Sequence, residues 1–140
     1  MELKLELVLV PVSDMDRAKA FYVDKVGFNL DVDTRVSDQL RVVQMTPPGS
    51  ACSITIGTGT TDAVPGSLRG IHLVVTDIEA VRAELAGRGV DVSEVYHFES
   101  GKRQPGPDPQ RSNYNSFADF RDPDGNTWVL QERGGSGPEA

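Results

Sequence analysis

Cys52 is the only cysteine in the chain, so no internal disulfide can form, which suits a reducing, cytoplasmic setting. Long apolar runs are missing: none approaches the ~20 residues that cross a bilayer. The opening stretch MELKLELVLV alternates charge with leucine and has no signal-peptide cleavage pattern. Positive charge is scarce. Fourteen Lys and Arg against 21 Asp and Glu leave a net charge of −7, which argues against nucleic acid and anionic membrane surfaces, since both need a basic face. The acidity reads as solubility. Aromatic residues are only 6% of the chain, which counts against a ligand held chiefly by ring stacking. The glycines of GTGT (57–60) have no lysine at the spacing a phosphate loop needs. What remains is 140 residues with an apolar fraction of 38%, enough for one domain with a hydrophobic core.

The patterning alternates strands and helices. LKLELVLVPV (3–12) reads as a strand. Asp14 then looks like an N-cap, and Met15, Ala18, Phe21 and Tyr22 form an apolar helical stripe that Gly27 ends. Strands are expected at about 28–33, 39–46 and 51–56, with TPPGS (46–50) as a turn. After a small-residue linker, IHLVV (71–75) is a strand. Asp77 caps a second helix carrying Ile78, Val81 and Leu85. Strand patterning returns over 90–98, about 114–121 and 126–132. Between them ESGKRQPGPDPQRSN (99–113) reads as a long polar loop, a lid or a disordered segment.

The chain repeats itself. VLVPVSDMDRAKA (8–20) matches IHLVVTDIEAVRA (71–83) at an offset of 63, placing Asp14 on Asp77 and Leu9 on His72. TPPGSACS (46–53) matches DPDGNTWV (122–129) at an offset of 76, placing Gly49 on Gly125 and Ser53 on Val129. The expected fold is therefore α+β: two βαβββ repeats forming a curved mixed sheet around a concave cavity. A single domain over 1–133 holds the first repeat (3–56), a linker (57–68) and the second repeat (70–132), followed by a flexible tail (134–140).

PVSDMDRAKAFYVDKVGF (11–28) and FRDPDGNTWVLQE (120–132) resemble the vicinal-oxygen-chelate superfamily, which includes glyoxalases, bleomycin-resistance proteins and extradiol dioxygenases. The resemblance implies a glyoxalase-like fold, commonly dimeric, so a homodimer is expected. In metal-dependent members the ligands come from the first and fourth strands of each repeat. They lie about seven residues before the helix-capping Asp and four after the turn glycine. Those positions here hold Leu7, Gly70, Ser53 and Val129. None offers a usual divalent-metal donor group. The resemblance thus points to an apolar pocket in which Val129 takes the place of a ligand, with no metal at the usual four positions and no cofactor.

His72 lies two residues past Gly70, so it faces the same way, and its neutral imidazole can serve as a general base or orient a ligand. Thr55 shares the face of Ser53, and Gln131 that of Val129. With Leu7 and Leu9 these make an apolar wall carrying a few polar groups, the mix that suits a small organic ligand. Tyr114 can close over the pocket or anchor its loop. Arg41, aligned with Phe117, can meet an anion or simply be solvated. His97 and Glu99, with His72, form an alternative, displaced divalent-metal site; a surface role for His97 is the other reading. Trp128 and Leu130 fall on the opposite face, in the core.

Two functions follow. One is a cytoplasmic protein that binds a small organic molecule in an apolar cavity. The other is an enzyme, a lyase, isomerase or dioxygenase, that uses His72 as acid–base catalyst or a displaced metal. Metal-dependent members of the superfamily chelate two adjacent substrate oxygens; without the metal, developing charge must meet hydrogen-bond donors such as Tyr114 or Gln131.

Overall fold

The structure, a computed structural model, describes residues 1–135, so most of the expected tail lies outside the described residues. The chain divides into two units: Met1–Leu68 with Asp122–Asn126, and Arg69–Arg121 with the stretch from Thr127 onward. Each unit carries its own mixed sheet, of four strands and of five, one for each expected repeat.

In the first unit β1 (Leu7–Leu9) runs parallel to β4 (Ser53–Thr58), followed by β3 (Leu40–Thr46) and the edge strand β2 (Asn29–Ser37). The expected first strand is thus cut to three residues. The reason is the partner: β4 begins at Ser53, opposite Leu7, so residues before Glu6 have no ladder to join, and Leu3 and Leu5 stay exposed. Helix α1 (Met15–Ala20) starts where Asp14 accepts from the Arg17 amide. It then widens into a π-helical turn, Phe21–Val26, closed by the Gly27 amide on the Tyr22 carbonyl at 3.0 Å. Phe21, Tyr22 and Phe28 are all buried there, with Tyr22 and Phe28 stacked. They share a core with Val10, Val43, Met45, Ile54 and Ile56.

DPDGN, at the other end of the sequence, belongs to this first unit. Asp122 is buried and accepts from the Tyr22 hydroxyl at 2.7 Å. Asn126, with no exposure, donates to the Pro11 carbonyl at 2.8 Å and accepts from the Leu68 amide at 3.0 Å. Asp124 accepts from the Ser13 amide and hydroxyl. The most recognisable motif of the sequence is therefore a structural clamp on the start of α1.

In the second unit β5 (Ile71–Val75) runs parallel to β9 (Thr127–Glu132), then come β8 (Ser116–Arg121), β6 (Tyr96–Glu99) and β7 (Lys102–Pro105) at the edge. The segment expected as a strand over 90–98 pairs only from Tyr96; earlier it buries Val90, Val92 and Val95 with a single bridge to Phe120. Helix α2 (Ile78–Gly87) is capped by Asp77. Its first amide, of Ile78, also donates to the buried Glu132, whose same oxygen accepts from Arg111 at 2.9 Å.

The polar stretch 99–113 is not the free lid its composition suggests. Ser100 and Gly101, both at positive φ, make the two-residue turn of a hairpin whose second arm is β7. Its residues are polar because this is an edge strand, where charge and proline discourage further pairing. Beyond β7, Asp108 ties the loop down: its amide donates to Ser116, and its carboxylate accepts from Asn115 and the Gln110 amide. Those bonds, Asn115 first, lower its pKa to about 2.

Candidate functional site

Each sheet has one face covered by its helix and one left open. In the first sheet Val10, Ile54, Ile56, Met45 and Val43 go inward. Leu7 and Leu9 therefore point to the open face and remain 40% and 41% exposed. Direct pairing places Leu7 beside Ser53 and Leu9 beside Thr55, with Gln44 beyond Thr55. Leu7, Leu9, Ser53 and Thr55 thus come together as the sequence pattern requires.

The polar groups on this face differ in how they are satisfied. Ser53 Oγ lies 2.7 Å from the Thr46 hydroxyl, which in turn donates to Asp31. Since Thr46 has one proton and gives it to a carboxylate, Ser53 must donate to Thr46. Thr55 has no such relief: its buried hydroxyl has no partner among the described residues. An unmet buried hydroxyl costs about 1–3 kcal/mol, a cost the fold carries beneath this face. Arg41 is on the helix side, paired with Asp33 and Asp16, and is unavailable to a ligand on the open face. These pairings hold the Asp33 carboxyl well below, and the Arg41 guanidinium well above, their ordinary pKa values.

On the second sheet Trp128, Leu130 and Phe120 are buried on the helix side, and His72 and Val74 are exposed on the open one. One row across this face reads His72, Val129, Asp119; the next reads Val74, Gln131, Phe117, Tyr96. His72, Val129 and Gln131 are thus neighbours. His72 Nδ1 lies 2.7 Å from the Gly70 carbonyl and must carry a proton to bond it. In the neutral ring Nε2 is therefore left with its lone pair. Gln131 turns its amide nitrogen to the Tyr114 carbonyl at 3.0 Å. Tyr114 joins the site through its backbone, at φ 59°, in the turn leading into β8.

His97 and Glu99 do not join His72. Pairing of His97 with Ser116, one residue out of step with the Tyr96–Phe117 row, puts it on the helix side. It is buried there rather than at the surface, with Nδ1 on the Gly106 carbonyl and Nε2 on Glu99 at 3.0 Å. The three residues proposed for a displaced metal therefore face opposite ways. Among the described residues no group of three His, Cys, Asp or Glu side chains is placed to hold a metal ion.

The repeat register also needs correction. β4 begins at Ser53 and β9 at Thr127, an offset of 74, not 76. Two additional residues separate the first turn's glycine from its strand. Val129 thus corresponds to Thr55, and Gly70 bonds Thr127 as Leu7 pairs Ser53. A shift of two preserves the faces. It does change the rows: the four family positions do not form two equivalent cross-strand pairs.

Sequence reasoning missed Asp119, Tyr96 and Phe117. Tyr96 stacks on Phe117 with ring centroids 5.5 Å apart, and its hydroxyl donates to Asp119 Oδ1 at 2.7 Å. Burial, then Asp119, push the Tyr96 pKa well up, so it stays protonated. Phe98 packs edge-on against both rings and is 42% exposed. The signal was present as alternation in SFADF, but the 6% aromatic content spread over the chain hid its concentration on one face.

The profile of the Glyoxalase/Bleomycin resistance protein/Dioxygenase superfamily matches residues 4–130. The chain belongs to that superfamily. Among solved structures, it is similar to TnmS3, an antibiotic binding protein from Streptomyces sp. CB03234. The two are 35% identical with a TM-score of 0.74, over 94% of this chain and 97% of that one. A glyoxalase/bleomycin resistance protein from the same strain is 36% identical, with a TM-score of 0.71, over 91% and 99% of the two chains. A superfamily member from Sphaerobacter thermophilus is 27% identical with a TM-score of 0.71, over 94% and 98%.

Proposed function

We propose that this protein binds a small organic molecule on the open faces of its sheets, without metal at Leu7, Ser53, Gly70 and Val129. The observation that carries this reading is an exposed apolar face: Leu7 and Leu9, side by side on the uncovered side of the first sheet. A surface of this kind gains from an occupant that covers the leucines. The similarity to an antibiotic binding protein supports the same reading. Exposure of the faces also favours a homodimer, in which a second copy shields the ligand from water, and the single cysteine suits a reducing cytoplasm.

The test is a thermal-shift screen of aromatic antibiotics on wild type, Leu9→Glu and Val129→Glu. A ligand at 100 times its Kd stabilises the wild type by about 2.7 kcal/mol, and a glutamate on the sheet face that holds it removes the shift by placing charge on the apolar wall. A hit that both variants bind as well as wild type would overturn the assignment to these faces.

One observation favours an enzyme as the second reading: the fixed tautomer of His72, with Nε2 free on the open face. On that reading His72 is a general base, and His72→Ala abolishes turnover while the melting temperature is retained. Activity surviving that change removes it.

A further inference from the structure

Acceptors predominate among the oriented hydrogen-bonding groups on the open face of the second sheet. His72 gives its Nδ1 proton to the Gly70 carbonyl, so Nε2 of the neutral ring can only accept. Gln131 commits one amide N–H to the Tyr114 carbonyl, which leaves Oε1 as an acceptor beside a second N–H. Asp119 takes the Tyr96 proton on Oδ1 and keeps Oδ2 without a partner among the described residues. The Tyr96 hydroxyl, its proton given away, can only accept another bond. Three groups from three strands, His72, Asp119 and Tyr96, each oriented by a neighbour, thus present only lone pairs around Val129 and Phe117. Donors adjoin them: the second Gln131 N–H, Arg121 and Thr127 one row before Val129, and Arg103 stacked 3.6 Å over the Tyr96 ring.

We infer that this face selects a flat ring system bearing hydroxyl donors, and discriminates against ligands that offer only carbonyl, ether or carboxylate oxygens. The inference rests on the small-molecule reading above and adds the chemistry of the ligand. His72 and Asp119 flank Val129 on adjacent strands, so they stand about 10 Å apart, from two strand spacings of ~4.8 Å. That gap admits a fused bicyclic ring lying on the valine with a hydroxyl at each end. Flatness follows from the neighbours: Phe117 and Tyr96 form a near-parallel stack, at 20°, with Phe98 exposed beside them. A ligand acceptor placed here would meet lone pairs on both sides and leave its own desolvation unrepaid.

The test is calorimetric binding of three matched probes: a dihydroxynaphthalene, its dimethyl ether and the corresponding naphthalene dicarboxylate. The diol is expected to bind at least about tenfold more tightly than either of the others, the worth of a charge-assisted hydrogen bond. Asp119→Asn sharpens the result, because the amide oxygen can keep the Tyr96 bond while a donor replaces the free acceptor. It should weaken the diol about tenfold and leave the ether within about twofold. His72→Phe provides a second variant, removing an acceptor from an exposed position, with the same expected loss. Equal binding of diol and ether by the wild type overturns the donor inference while leaving small-molecule binding intact. So do preference for the dicarboxylate and diol binding untouched by both variants. Binding of none of the three overturns both.

Discussion

The two sheets are built alike and finished differently. In the first, Leu9 of the leading strand lies beside Thr55; in the second, the corresponding row sets His72 beside Val129. Polar and apolar side chains have changed strands, and a threonine–glutamine row has become a valine–aspartate one. The helix-facing sides show no such exchange: Ile54 and Ile56 on one, Trp128 and Leu130 on the other, all buried. Both helices keep an aspartate cap with the same amide three residues on. The lesson is a division of labour. The covered faces and caps specify the fold, and the open faces are free to carry chemistry.

The largest test of that division lies in the two turns. Asn126→Ala removes a fully buried side chain that bonds Pro11, Leu68 and Asp122, and should cost about 2–4 kcal/mol by urea denaturation. Pro48→Ala, in the exposed turn of the first unit, should stay within about 0.5 kcal/mol. Equal costs would break the distinction between clamp and simple turn. Next is Glu132→Ala, which strips the α2 N-terminus and Arg111 of their shared acceptor, for an expected loss of about 2 kcal/mol.

A reciprocal exchange of the corresponding residues gives a smaller but more pointed result. Thr55→Val deletes an orphaned hydroxyl at constant shape and should raise stability by about 1 kcal/mol. Val129→Thr installs a hydroxyl at the half-exposed counterpart, where little change, under about 0.5 kcal/mol, is expected. Melting curves of both variants decide whether the orphan is real. The smallest effect is electrostatic. His97 has its pKa raised by the Gly106 carbonyl, then by Glu99, so its charged form stabilises the fold. That contribution is complete below the ordinary value of about 6.5 and is lost as pH rises through the raised one. Wild-type melting temperature should fall slightly more than that of His97→Gln between about pH 6 and pH 8.

Much of this was legible in the sequence. Period-two alternation placed Leu7, Leu9, Ser53, Thr55, Val129 and Gln131 on shared faces, because a strand's side-chain period is fixed by its backbone. Asp14 and Asp77 announced their helices in the same way. What failed depended on partners the sequence does not display. Residues 3–5 have strand patterning but no strand opposite them. Lys102–Pro105 look like loop, yet sit in a ladder because β6 offers an edge. The two extra residues before β4 moved Val129 from the level of Ser53 to that of Thr55. His97 needed its pairing with Ser116 before its face could be known.

The measurement that bears most directly on metal-free binding is calorimetry of a screened ligand, on untagged protein, in chelator and then with excess zinc, nickel, manganese or iron(II). Leucine, glycine and valine at the ligand positions predict one affinity under all conditions. Binding that requires one of the metals, with near-stoichiometric uptake of that metal, would contradict the account.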